Sequence, residues 1–205
     1  MYIPKNFKNE DQAEIFNFIE NNSFGILVNQ GDSKILATHI PLYLTKNAKG
    51  DDILLGHISK GNEAWKCFNE KQDVLVIFSG PHAYVSSSWY DHENVPTWNY
   101  IAVHVYGVIR IIEGEILYDS LKVLVDKYER TVRNPVSVDR MSKDFIHREM
   151  KGIVGFQIEI KEMQAAYKLS QNRDAKNYDA VVAELEKSTD KNATVLADEM
   201  KRRKP

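Results

Sequence analysis

The segment that most constrains this chain is Thr97–Ile112, a long run that alternates at a two-residue period. Ile101, Val103, Val105, Ile109 and Ile111 fall on one side, with Gly107 between them. Tyr100, Ala102, His104, Tyr106, Val108 and Arg110 fall on the other. Successive side chains of a strand point to opposite faces, so one face is core. The other is mixed, as a strand beside a ligand or a partner subunit would be.

The flanking pattern sets the fold class. Asn9–Asn22 is expected to be a short helix, with Asn9 as cap, Gln12 three residues on, and a stripe of Ile15, Phe16 and Ile19. Strands are expected over Phe24–Asn29, Lys34–Leu44, Ile53–Ile58 and Asp73–Phe78, with turns at Gln30–Ser33 and Asn47–Asp52. Glu63–Glu70 is expected as a brief helix and Pro81–Trp89 as extended chain. Leu117, Leu121, Leu124, Val125, Tyr128 and Val132 share one helical stripe. Gly152–Ala166 is expected as a returning strand. Tyr178, Val181, Val182 and Leu185 then mark one helix, and Leu196 and Met200 a second. Antiparallel hairpins dominate the first half, so an α+β, mainly antiparallel barrel with peripheral helices is favoured over a doubly wound parallel sheet. No G-x-G-x-x-G and no Walker loop is present.

Composition narrows the class further. With 205 residues and no Gly/Ser-rich linker or repeat, one generous domain is expected. The single cysteine, Cys67, can form neither an internal disulfide nor a multi-cysteine metal site. The apolar runs are too short to cross a bilayer, and Met1–Lys5 has no signal-like apolar stretch behind it. A cytoplasmic setting is expected, and no metal. A net charge of −2 does not advertise nucleic-acid binding by the domain as a whole. Lys201–Lys204 could touch phosphates, or could merely complement a helix dipole and keep the tail solvated.

Gly56–Trp65 joins an expected strand to an expected helix and suits an anion. A helix start leaves backbone N–H groups without partners. Gly61 permits close approach, Ser59 and Asn62 can hydrogen-bond, Lys60 brings a full charge and His57 a further donor. The plainer alternative makes Asn62 a cap, Lys60 a solvated loop charge and His57 a satisfied strand-end histidine. Ser86–Ser88 lacks the glycines of a nucleophile elbow.

Six ordered motifs carry a family likeness: Tyr2–Pro4, Ala37–Pro41, Gly56–Asn62, Gly80–Ser86, Val95–Tyr100 and Lys168–Asn172. Together they resemble the PaiB family, described as FMN-binding negative transcriptional regulators linked to protease synthesis and sporulation. The resemblance implies a split β-barrel related to pyridoxamine-phosphate oxidases, a homodimer, and FMN at the subunit interface. It implies a barrel domain over 1–172, with a helical extension over 173–205 packed on the same domain. By motif, His57, Ser59, Lys60 and Asn62 would hold the flavin phosphate, and Thr38 and His39 would line the isoalloxazine or ribityl side. Trp98, Asn99, Lys168 and Gln171 would complete the pocket. Three functions compete on this reading: a regulatory flavoprotein acting through DNA or a protein partner, an FMN-dependent oxidoreductase, and a haem-binding split barrel using some of six histidines. No catalytic acid or base is legible.

Overall fold

The computed structural model describes residues 1–204. In chain order its elements are β1 (Lys8–Asn9), α1 (Gln12–Asn21), β2 (Phe24–Gln30), β3 (Ile35–Pro41), β4 (Tyr43–Lys46), β5 (Asp52–Ser59), β6 (Asp73–Val85), β7 (Thr97–Ile112), α2 (Gly114–Glu129), α3 (Lys143–Met150), β8 (Ile153–Lys168), α4 (Ala175–Glu186) and α5 (Lys191–Arg202). Single 3-10 turns occupy Lys5–Phe7, Glu63–Cys67, Ser87–Trp89 and Val138–Arg140. The strands form one eight-stranded sheet in the order β3-β2-β6-β7-β8-β5-β4, with β1 paired to β8. The ladders β2–β3, β2–β6, β4–β5, β5–β8 and β1–β8 are antiparallel. This is the α+β antiparallel architecture expected from the alternation.

Contacts divide the chain into two units. The terminal unit comprises Met1–Phe18, Ser79–His104 and the chain from Gln164 on; the central unit comprises Ile19–Phe78 and Val105–Met163. In the terminal unit the core is built from Val85, Ile101, Val103, Leu169, Tyr178 and Leu196, all nearly inaccessible. Asp174 and Asp190 cap α4 and α5 by accepting from the Asn177 and Asn192 amides. In the central unit Leu27, Leu54, Val76, Phe78, Phe156 and Ile158 are fully buried. Gly107 is required there, because a Cβ on it would stand 2.2 Å from the Glu159 carbonyl.

Several expectations shift, each for a local reason. Asp11, not Asn9, caps α1, its carboxylate accepting from Glu14 N at 3.1 Å, while Asn9 joins β1. The run expected over Lys34–Leu44 breaks at buried Leu42, because the chain changes ladders there: β3 pairs with β2, β4 with β5. Pro81–Trp89 splits, its first part continuing β6 to Val85. On β7, Ile111 is 44% exposed, while Val108 on the opposite face is buried. Val132 lies beyond α2 and is exposed. Helix α3 is not among the elements expected from the sequence: it is short and mostly polar, it buries only Ile146, and the Ser142 cap holds its start.

Candidate functional site

The Gly56–Asn62 junction lies in the central unit at the end of β5. His57 stands opposite Gly155 of β8. The turn after it is knitted by short local bonds. Gly61 N donates to Ser59 Oγ (3.2 Å), Asn62 N to the Ser59 carbonyl (2.9 Å) and Lys60 N to the Gly152 carbonyl (2.8 Å). Asn62 works at both ends of its amide: Oδ1 accepts from Ala64 N (3.0 Å) and Nδ2 donates to Thr38 Oγ1 (3.1 Å). Thr38 thereby keeps its own hydroxyl hydrogen for another acceptor. The brief helix expected over Glu63–Glu70 is a five-residue 3-10 turn, Glu63–Cys67. The dipole of so short a turn is slight, so any anion affinity here must come from side chains and open backbone.

Those groups fit a phosphate. Lys60 is exposed, and no carboxylate pairs with its ammonium among the described residues. A Cβ on Gly61 would meet nothing closer than Ser59 Oγ at 3.6 Å, so its backbone is open to approach. Burial pulls the His57 imidazole below its usual pKa range, and its Nδ1 is buried without a hydrogen-bond partner. His57 is therefore neutral at pH 7, able to donate a hydrogen bond but adding no charge. His39 is exposed beside the Phe24 ring, 6.3 Å between centroids.

The remaining four predicted residues lie in the terminal unit. Asn99 is fully buried; its amide donates to Ser170 Oγ (2.8 Å) and faces Met200 Sδ, while its Oδ1 accepts from Ser170 (3.2 Å). Gln171 accepts from Leu169 N (2.7 Å) and donates to the Tyr167 carbonyl (2.6 Å). Ser170 adopts φ 60, a left-handed conformation costly for a residue with a Cβ. This turn spends its polar groups on itself. Lys168 and Trp98 do not. The Lys168 ammonium bonds Thr97 Oγ1 and lies 6.0 Å from the Phe7 ring, with burial and then Arg173 lowering its pKa, and its other N–H groups remain unspent. Trp98 is 54% exposed and stacks edge-on to Tyr84 at 6.0 Å.

Two residues that the motifs do not single out also shape the turn. Trp65 pins it by donating from Nε1 to the Lys60 carbonyl (3.0 Å). Asn29, 4% exposed, donates to the Ala64 carbonyl (3.4 Å) and leaves Oδ1 without a partner. An inward-facing asparagine at the core period of β2 was the available signal.

Comparison with known proteins fixes the family. Residues 1–162 match the family model described as "Putative FMN-binding domain". Over 202 residues the chain is 47% identical to protease synthase and sporulation protein PAI 2 of Bacillus subtilis, spanning 98% of this chain and 96% of that one. The chain belongs to this family. Among solved structures it resembles the FAD and haem binding protein of Mycobacterium smegmatis (TM-score 0.61, 15% identity, 84% of this chain and 78% of that one). The flavocytochrome Anf3 of Azotobacter vinelandii is similar to the same degree (TM-score 0.60, 15% identity, 84% and 75%). At such identities the likeness is one of fold, and that fold is the split barrel. No helix among the described residues is long and apolar enough to cross a membrane.

Proposed function

We propose that this protein is a regulatory flavoprotein of the PaiB type, which binds FMN at the Gly56–Asn62 junction and works as a homodimer in the cytoplasm. The observation that carries the reading is Lys60, an unpaired ammonium on a turn whose Gly61 backbone is open and whose Ser59, Asn62 and Thr38 are already ordered. Lys60 and Ser59 would grip the phosphate. Thr38 and neutral His57 would offer hydrogen-bond donors beside it, and Lys168 and Trp98 of a second copy would complete the pocket. FMN, once bound, supplies the redox chemistry; the chain supplies position and hydrogen bonds.

The regulatory role rests on the resemblance to the PaiB family, and a protein partner suits it better than direct contact with DNA. Each cation of Lys201–Lys204 is engaged within the chain: Lys201 with Glu186 and Asp198, Arg202 with Glu199, Arg203 with Glu14 and Glu199, Lys204 with Asp179. A second copy of the chain suits the exposed aromatic patch of Trp98 and Tyr84.

The test is a titration of flavin-stripped protein with FMN and with riboflavin, followed by flavin fluorescence. FMN should bind at least about tenfold more tightly, since only FMN carries the phosphate. Equal binding of the two would remove the phosphate grip, and absence of binding would sink the flavin reading. Light scattering should give a dimer that Trp98→Glu splits; a monomeric parent would remove the homodimer. Turnover of bound FMN with a nicotinamide donor would move the conclusion to an oxidoreductase.

A further inference from the structure

A cavity of about 590 Å³ opens in the central unit on the α2 and α3 side of the same junction. That is ample for a small organic ligand. Its floor is apolar: Ile112, Leu117 and Val154 are nearly inaccessible, and Ile111, 44% exposed, stands in its lining. The floor exists because Gly155 has no side chain. A Cβ there would stand 2.4 Å from Leu117 Cδ1, so α2 settles directly onto β8.

Three basic side chains border that floor: Lys60 from the β5 turn, His147 from α3, and Lys151 just beyond α3. The bond from Lys60 N to the Gly152 carbonyl fastens the two lysine-bearing segments together. No carboxylate pairs with either lysine among the described residues, and Glu113, the carboxylate of the lining, pairs with neither. Two exposed lysines without carboxylate partners at the rim of an apolar floor attract an anion to it. An aromatic floor partner is present as well, in half-buried Trp65.

We propose that this cavity binds a small amphipathic anion, an apolar ring or short chain carrying one carboxylate, as a site separate from the flavin pocket and sharing only Lys60 with it. The apolar body would cover Ile112, Leu117 and Val154, and the carboxylate would face Lys60 and Lys151. The binding itself does not rest on the flavin reading.

Calorimetric titration of the flavin-free full chain with 1-naphthoate, and with the uncharged 1-naphthamide, tests it. Naphthoate should bind once per chain, at least about tenfold more tightly than the amide. Lys151→Glu should weaken naphthoate by about tenfold or more while leaving the melting temperature and FMN titration unchanged. Ile111→Trp, which fills the cavity from its exposed lining, should abolish binding of both probes. Equal affinity for acid and amide, or binding that survives both substitutions, would overturn the proposal. Exclusion of FMN by the uncharged naphthamide, which makes no use of the shared Lys60, would overturn it too, by assigning the cavity to the flavin. Naphthoate binding in a protein that takes up no FMN would instead leave this site standing and remove the other.

Discussion

Two of the family's six motifs fold into polar turns, and these use their hydrogen bonds in opposite ways. In the Gly56–Asn62 turn, the local bonds order the backbone and leave functional groups over: the Lys60 ammonium, the Gly61 backbone and the Thr38 hydroxyl. In the Lys168–Arg173 turn, Gln171 and Ser170 bond within the turn or to fully buried Asn99, and Arg173 N closes it onto the Ser170 carbonyl at 2.9 Å. One turn leaves polar groups over; the other uses its own to hold a bend. A motif marks a place where backbone or polar chemistry is demanded, and only the partners show which demand it was.

Replacing Asn99 tests the structural side of that contrast and should have the largest effect. Asn99→Ala removes both partners of Ser170 Oγ in a fully buried site and opens a small void. A loss of about 2–4 kcal/mol of stability is expected from denaturant melting. The FMN affinity of the protein that remains folded should not change. Weakened FMN binding at unchanged stability would instead return Asn99 to the ligand site.

Lys60→Ala is the mirror experiment. Lys60 is exposed and pairs with no carboxylate among the described residues, so melting should hardly move. FMN affinity should drop by about ten- to a hundredfold, the loss of one charge-assisted contact to a phosphate, while riboflavin affinity stays the same. An unaltered FMN dissociation constant would take Lys60 out of the site and close the gap between the two turns.

Much of this was legible in the sequence, and the misses share a cause. β7 runs over Thr97–Ile112 as its alternation predicts, because a two-residue period over that length admits one secondary structure. The exception, Ile111, is exposed because it lines the cavity beside α2 and has no core partner. The Gly56–Asn62 turn was legible as a turn, and the brief helix expected after it is present as a five-residue 3-10 helix capped by Asn62. The hydrogen-bond partners of Asn99 and Gln171 were not legible. Asn99 finds Ser170 71 positions away, and no local pattern announces a partner at that distance. α3 escaped because it is short and mostly polar, with Phe145, Ile146 and Met150 its only apolar residues.

A pair of tyrosines in the terminal unit sharpens the comparison at the smallest scale. Tyr167 and Tyr178 are both buried, and burial pushes both phenols up to about 12. Tyr178 donates to the Met200 carbonyl at 2.7 Å, whereas the Tyr167 hydroxyl has no partner among the described residues and its ring lies under Arg203. Removing the first hydroxyl should cost about 1 kcal/mol in Tyr178→Phe. Removing the second should cost nothing, and Tyr167→Phe should melt at the same or a higher temperature, since an unpartnered buried hydroxyl is itself a penalty. The pH dependence follows from the same groups. With folded pKa values above that of an exposed tyrosine, the native state holds its protons longer than the unfolded chain does. Stability is then complete below about pH 10 and falls as pH rises towards 12. Each Phe variant should flatten that alkaline loss, and phenolate absorbance should show one fewer late-titrating group. A Tyr167→Phe protein that melts lower than Tyr178→Phe would mean that the Tyr167 hydroxyl has found a partner, and that this end of β8 meets a ligand after all.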